Sequence, residues 1–267
     1  LLMLVFDEEK YAKSIIDNKK YETLKNQGQE RCIIVRYLTY IGYDELSIKK
    51  ILFKIPMLGG DYLSDRDKDI IYSKIISKAN NYNLISGIKI NIYKSELDVI
   101  LGLEDQYTRR LLFVYLVYYK WACNINHLQF FSKKNNISMV VENNKELWKL
   151  AGLSKLRVND RYKICNQLFN DNLYKVDNFK SYNYFYLPFS VEKGDIVMTI
   201  DNYDNILGEL YLYENPNEYK RCSICGTVIK KTRSPKKYCL NCAKKENIRK
   251  TKERKKSLKT KTVQALI

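Results

Sequence analysis

The sequence predicts a mainly α-helical protein of the α+β class, and three observations favour this fold class. Apolar residues recur every three to four positions through much of the chain, which is the spacing of helices that bury one face. A few short segments instead alternate apolar and polar residues, as strands do. Four cysteines form two close pairs in a segment with few apolar residues, which indicates a separate small unit. A chain of 267 residues has room for a large domain or for two to three small ones.

Residues 1–100 are predicted to form a helical N-terminal domain. Helical spacing runs through residues 8–55, and a further helix is expected to begin at Ser64, because Ser64 and Asp67 match a capping box. Residues 88–92 alternate isoleucine with polar side chains, which predicts a short strand. Nothing in this domain indicates a catalytic site.

Residues 101–190 are predicted to form a second domain. Three helices are expected, at about residues 106–124, 145–151 and 157–172. Gly152 follows the second helix, where a sharp turn requires a backbone conformation that a β-carbon disfavours. Two alternating runs after the third helix predict a hairpin. This order, together with the stretch ELWKLAGLS, resembles a winged helix-turn-helix domain, and residues 191–217 are interpreted as a connector that follows it.

The third helix of this domain carries candidate contacts to nucleic acid. Basic and amide side chains of the types that contact phosphates or base edges are Arg157, Arg161, Lys163, Asn166 and Gln167. The buried face is expected to carry Val158, Tyr162, Cys165, Leu168 and Phe169. An ordinary solvated face is an equally weighted interpretation of the polar residues, and winged-helix folds also serve as protein docking modules.

Residues 218–267 contain two C-x-x-C pairs, Cys222 with Cys225 and Cys239 with Cys242. Two residues between cysteines allow both sulfurs of one turn to reach the same ion, so the four sulfurs predict a closed tetrahedral Zn²⁺ site. Such a site leaves no position for water, and the zinc is therefore expected to be structural. Helix-forming residues directly follow the second pair, as in a treble-clef zinc finger. A redox dithiol is the alternative, although a redox motif normally occurs once, on a βαβ scaffold.

The positive charge of the chain is concentrated in the same region. Of a formal net charge of +17, residues 220–261 carry 17 Lys and Arg against Glu246 and Glu253, a local charge of +15 that leaves +2 elsewhere. This density of cations favours nucleic acid as the partner, DNA before RNA. The alternatives are a solvated tail that maintains solubility and an acidic protein partner. Candidate contacts here are Lys230, Lys231, Arg233, Lys236, Lys237, Lys244, Lys245, Arg249 and Lys250.

Several classes of protein are disfavoured by what the sequence lacks. It contains no Gly-rich phosphate loop, nucleophile elbow or H-x-E motif, so the chain is not expected to be an enzyme. No apolar run reaches the roughly 18 residues that a membrane span needs, so a membrane is not an expected partner. Seven cysteines without an export signal indicate a reducing cytoplasm.

Four stretches of the chain, LLFVYLVYYK, ELWKLAGLSKLRVNDR, CSICG and KYCLNCAKK, are similar to stretches of uncharacterised proteins from phages and mobile elements of Gram-positive bacteria. The resemblance implies a winged-helix-like middle, a C-terminal zinc finger and a bacterial host cytoplasm, but no particular activity. Two functions are therefore expected. The first is a phage-encoded nucleic-acid-binding regulator or accessory factor. The second is an anti-defence inhibitor or adaptor that docks on a host nuclease or a CRISPR-type ribonucleoprotein complex.

Overall fold

The computed structural model describes residues 5–58, 63–128, 137–138, 145–179, 182–232 and 236–264. Helices dominate these residues, and the strands among them form three small antiparallel sheets. The predicted mainly α, α+β class is confirmed. Contacts between Cα atoms divide the chain into two compact units, Leu1–Tyr203 and Asp204–Ile267. A finer division at residues 100 and 190 stays a prediction.

The first unit begins with four helices. These are α1 (Glu8–Asn18), α2 (Gln27–Tyr40), α3 (Glu45–Phe53) and α4 (Asp65–Ala79). They enclose an apolar core that includes Ile15, Tyr21, Ile33, Ile34, Ile48, Leu52 and Tyr72. The predicted start of α4 is confirmed, because the backbone N–H of Asp67 donates to Ser64 Oγ at 3.2 Å. Local sequence signals thus account for where this helix begins, and burial of the apolar faces accounts for how the helices pack.

A two-stranded sheet and a buried ion pair follow these helices. The predicted strand is observed as β1 (Ile90–Tyr93), which pairs antiparallel with β5 (Ile196–Ile200). Helix α5 (Lys94–Leu101) begins directly after β1, and its Glu96 accepts a hydrogen bond from the backbone N–H of Tyr93 at 3.0 Å. The Lys120 ammonium donates to both oxygens of Glu96, at 3.0 and 2.9 Å. Both charged groups are buried away from water, so each is stabilised by the opposite charge instead of by solvation.

The three helices predicted for the middle of the chain are all observed. They are α6 (Gln106–Leu128), α7 (Lys145–Leu150) and α8 (Val158–Asn170). Every side chain of α6 from Leu111 to Val117 is at most 1 % exposed, so this stretch of the helix is buried on all sides. Gly152 has a φ of 67°, in the left-handed region that the predicted turn requires.

A three-stranded sheet completes this part of the first unit. Its strands are β2 (Ile137–Ser138), β3 (Lys175–Phe179) and β4 (Tyr182–Tyr186), in the order β2-β4-β3. The predicted hairpin is confirmed, since β3 and β4 pair antiparallel with Lys175 opposite Tyr186. Residues 180–181, which join them, lie outside the described residues. Along the chain the order is helix, strand, helix, helix, strand, strand.

The predicted buried face of α8 is wrong in part. Ile164, Cys165 and Leu168 are buried, whereas Val158, Tyr162 and Phe169 are 62 %, 60 % and 55 % exposed. At 100° per residue the apolar residues of α8 span about 160° of its circumference, and Cys165 belongs to both possible stripes. Spacing alone therefore could not decide which stripe packs against the core. In the folded unit α8 packs on α6 through the Ile164 and Leu168 side of the helix.

The second unit is small. After a single 3₁₀ turn at Tyr203–Asn205 it contains α9 (Ile206–Glu214), β6 (Tyr219–Arg221), β7 (Val228–Lys230) and α10 (Leu240–Gln264). Strands β6 and β7 form a hairpin, and α9 lies against it with Ile206 and Leu210 buried. The segment interpreted as a connector, residues 191–217, thus contributes β5 to the first unit and α9 to the second. No helix in the described part of the chain has both the length and the apolar character needed to cross a membrane.

Candidate metal centre and basic helix

The four cysteines of the C-x-x-C pairs come together in the second unit. Cys222 directly follows β6, and Cys225 lies in the turn between β6 and β7. Cys239 directly precedes α10, and Cys242 lies in its first turn. Gly226, next to the first pair, has a φ of 72°, a conformation that favours glycine over residues with a β-carbon. A hairpin turn and a helix start therefore each contribute two sulfurs, which is the arrangement that the sequence predicts.

The sulfur positions fit a tetrahedral metal site. All four Sγ atoms lie within 4.8 Å of one another, and Cys225 Sγ lies 3.7 Å from Cys239 Sγ. A tetrahedron with Zn–S bonds of about 2.3 Å has edges of about 3.8 Å between sulfurs. A disulfide would instead bring two sulfurs to about 2.05 Å. The four thiols thus form a donor set of the size, number and softness that zinc requires.

Backbone hydrogen bonds fix the positions of the two cysteine pairs relative to each other. The Cys239 N–H donates to Cys222 Sγ at 3.3 Å, and the Cys242 N–H donates to Cys239 Sγ at 3.4 Å. Between the pairs, the Ser223 N–H donates to the Lys237 carbonyl oxygen at 3.2 Å. N–H groups directed at sulfur stabilise a thiolate and orient it.

The pKa values of two of the thiols are shifted in opposite directions from the ordinary cysteine value. These shifts indicate how a bound cation would change the ionisation of the cluster. Burial opposes ionisation of Cys222, but the backbone N–H groups of Cys225, Cys239 and Ile224 outweigh it and lower the Cys222 pKa to about 6. The Cys242 pKa is raised to about 12, first because its thiol is hydrogen-bonded to Cys225 and then because it is buried. Four adjacent thiolates repel one another, so a bound dication is what would allow all four to lose their protons.

Helix α10 continues from the metal centre with almost no buried side chain. From Lys244 to Lys255 every side chain is exposed except that of Glu246, which is partly exposed. Arg249 pairs with Glu246 at 2.7 Å and with Glu253 at 2.6 Å. Both acidic residues of the basic region are therefore bound to one arginine, and the pairs are spaced three and four residues apart, as suits a helix.

The predicted contact residues before α10 lie around the hairpin. Lys230 pairs with Glu218 at 3.3 Å, and Lys231 donates to the Pro216 carbonyl oxygen at 3.1 Å. Lys237 is exposed and Lys236 is half-buried. Arg233 lies outside the described residues. Of the predicted contacts in α10, Lys244 and Lys245 are exposed, Lys250 is exposed and pairs with Glu246 at 3.8 Å, and Arg249 is bound to both glutamates.

The predicted contact residues of α8 are in the first unit, and some are exposed while others are bound to neighbouring residues. Arg157 caps the helix and is exposed, as are Lys163 and Asn166. Arg161 instead packs within the unit, where it donates to the Ser154 carbonyl oxygen at 2.6 Å and lies 5.3 Å from the Trp148 ring centroid. Gln167 Oε1 accepts a hydrogen bond from Thr108 at 3.4 Å. The polar face of α8 is thus only partly free to contact a ligand.

Several residues of the second unit were not singled out from the sequence. Asn247, Thr251, Arg254 and Lys255 of α10 were not among the predicted contacts, although the helical period of the basic segment could have placed them relative to the two glutamates. Asn205, which donates to the Val228 carbonyl oxygen at 2.9 Å, gave no local signal.

The site has to be interpreted from its own chemistry. No family model, curated protein or solved structure matches this chain. What the second unit offers is a four-sulfur donor set at the first turn of a long cationic helix. This combination is the basis for a functional proposal.

Proposed function

We propose that this chain binds nucleic acid through its second unit, in which Zn²⁺ held by Cys222, Cys225, Cys239 and Cys242 orders a basic helix. The observation that carries the proposal is the position of the cysteine cluster, because Cys242 lies within the first turn of α10. Four sulfur ligands leave no open coordination position, so the zinc is structural. The cations of α10 would contact phosphates, and binding would be strong at low salt and largely independent of sequence.

The small apolar core of the second unit supports a structural role for zinc. Apart from two of the cysteines, its buried apolar side chains among the described residues are few: Ile206, Leu207, Leu210 and Val228. A unit of this size with so little apolar burial needs an additional source of folding free energy. Zinc binding by four thiolates supplies free energy of the required order, about 10–16 kcal/mol in zinc-finger peptides.

The first unit supports a second contact through a winged helix-turn-helix. The chain order α6, β2, α7, α8, β3, β4 and the sheet order β2-β4-β3 are those of a winged helix, in which α8 would be the recognition helix. Arg157, Lys163 and Asn166 are exposed on α8 and would face DNA. We therefore propose the role of a regulator or accessory factor with DNA as the preferred nucleic acid, and its origin in a phage and its place in the host cytoplasm are what the sequence resemblance implies.

One observation favours a second candidate function, an adaptor or anti-defence inhibitor that docks on a host nuclease or a CRISPR-type ribonucleoprotein complex. Val158, Tyr162 and Phe169 form an exposed apolar stripe on α8 beside its polar face. An apolar stripe of this kind suits a protein surface better than a phosphate backbone. Capture of partners from a bacterial lysate, with and without nuclease treatment, separates the two functions, since a protein complex that survives nuclease favours the adaptor.

The experiment that tests the main proposal combines zinc analysis with DNA binding. Pure, reduced protein is expected to contain one zinc ion per chain and to bind random duplex DNA with an affinity that falls steeply as salt rises. Cys242→Ser is expected to lose both zinc and DNA binding, whereas Cys32→Ser in the first unit is the matched control and should retain both. Zinc-free wild-type protein, or an affinity unchanged between low and moderate salt, would contradict the proposal.

A further inference from the structure

Helix α10 has two sides that differ in charge, and the side that carries Asn247 and Thr251 is called the front. Successive residues of an α-helix are rotated by about 100°, so side chains four apart lie nearly in line. Asn247 and Thr251 are related in this way and form an exposed, uncharged line along the helix. Glu246, Arg249 and Glu253 lie about 100° or more around the helix from both residues of this line, and the arginine pairs with both carboxylates. The negative charge of the helix is thus confined to the side away from Asn247 and Thr251.

Cations flank the uncharged line on both sides. By the same rotation, Lys250 and Arg254 border it on one side, and Lys244 and Lys255 border it on the other. All four side chains are exposed, and Lys250 also lies 3.8 Å from Glu246, with which it forms an exposed pair. Lys245 and Lys252 lie farther around the helix, next to the side that carries the glutamates. The front of α10 between Lys244 and Lys255 therefore has an uncharged centre, cations on both sides and no acidic residue.

This distribution matches the geometry of a DNA groove. The major groove of B-form DNA is about 12 Å wide and admits an α-helix, with phosphates along both edges and base edges on the floor. An asparagine amide at the floor can donate to and accept from adenine. The Thr251 hydroxyl donates to the Asn247 carbonyl oxygen at 2.8 Å and can still accept a hydrogen bond from a base. The A-form duplex of RNA has a major groove too narrow for a helix. Cations on both flanks with a neutral centre are what a helix in a B-form groove needs.

We infer that α10 binds in the major groove of B-form duplex DNA, with Asn247 and Thr251 toward the base edges and with Lys250, Arg254, Lys244 and Lys255 toward the two phosphate strands. This inference rests on the proposed function and specifies its ligand. The Glu246–Arg249–Glu253 cluster then faces away from the DNA, where its carboxylates do not repel phosphates. The cysteine cluster at the first turn fixes where the helix begins.

The test uses two double variants of the full-length, zinc-loaded protein that remove the same charge from the same helix. Lys250→Gln with Lys255→Gln removes one cation from each flank of the front, and Lys245→Gln with Lys252→Gln is the matched control away from the front. Binding to a short mixed-sequence DNA duplex is measured by fluorescence anisotropy across a salt series. The front variant is expected to lower the slope of log affinity against log salt by about 2, since each phosphate contact contributes about 0.9. The control variant should keep the wild-type slope.

A second arm compares duplex DNA with duplex RNA of the same sequence, and the RNA is expected to bind at least about tenfold more weakly. Equal slopes for the two double variants, or equal affinity for the two duplexes, would overturn the inference. Zinc-dependent DNA binding that is equally sensitive to both variants would leave the proposed function intact and remove only the groove geometry. Absence of any nucleic-acid binding by the wild type would remove both.

Discussion

The carboxylate of Glu209 on α9 accepts two hydrogen bonds from the guanidinium of Arg221, at 2.8 and 2.7 Å. The Glu209 side chain is 7 % exposed, and Arg221 directly precedes the first cysteine of the metal centre. Two parallel N–H···O bonds to a buried carboxylate fix orientation as well as distance. Helix α9 therefore holds the hairpin that presents Cys222 and Cys225, and it belongs to the metal-binding unit.

We expect Glu209→Gln to weaken zinc retention. The change leaves Arg221 without its charged partner and should destabilise the second unit by about 1–3 kcal/mol. Zinc release to a colorimetric chelator is the measurement. Glu218→Gln is the matched control, since Glu218 and Lys230 form an exposed pair in the same unit that is expected to contribute less than about 1 kcal/mol. Equal zinc release by the two variants would show that α9 has no part in the metal centre.

Zinc binding is expected to release fewer than four protons per ion near neutral pH. With a pKa lowered to about 6, Cys222 is already mostly a thiolate in the metal-free folded unit, whereas the pKa of Cys242, raised to about 12, keeps that thiol protonated until the metal displaces the proton. The affinity for zinc should therefore rise with pH and fall as acid competes for the sulfurs. Isothermal titration calorimetry in buffers of different ionisation enthalpy counts the protons, and release of all four would show that Cys222 is protonated before zinc binds, as it would be in a metal-free unit that is unfolded.

The Glu96–Lys120 pair predicts a stability defect in the first unit. Glu96→Gln leaves the buried Lys120 ammonium with only the exposed Glu192 carboxylate, at 3.6 Å, as a counter-charge, and the free energy of unfolding of this unit is expected to fall by about 3 kcal/mol. Chemical denaturation of the zinc-saturated protein measures the loss. Asp98→Asn in the same helix breaks only the exposed pair with Lys94 and should cost less than about 1 kcal/mol. Similar losses in both variants would mean that burial does not distinguish the two pairs.

The orientation of α8 can be tested by two substitutions on different sides of the helix. Leu168→Ala removes a fully buried side chain and is expected to destabilise the first unit by about 2–5 kcal/mol. Tyr162→Ser alters a side chain that is 60 % exposed and should change stability by no more than about 0.5 kcal/mol. Unfolding curves of both variants give the comparison. If Tyr162→Ser lowers the free energy of unfolding as much as Leu168→Ala does, the face of α8 that was expected from the sequence is the buried one.

Several features could be predicted from the sequence because they depend on residues close together in the chain. The start of α4 follows from the Ser64 cap, and the turn after α7 follows from Gly152. Two residues between paired cysteines are enough to direct both sulfurs to one point, so the spacing of the cysteines alone was sufficient to predict that the four sulfurs come together. The segregation of positive charge is likewise a property of the sequence itself.

Only the tertiary structure decided which surfaces these elements use. The pairing of Ile90 with Ile200 and the hydrogen bonds from Arg221 to Glu209 depend on partners that are distant in the chain or that no local sequence pattern indicates. The face of α8 was decided by its packing on α6, because an apolar arc that spans nearly half of a helix contains more than one stripe that spacing could select. Periodicity specifies that a helix has an apolar side, but the neighbouring elements determine which side is buried and therefore which residues remain available to a ligand.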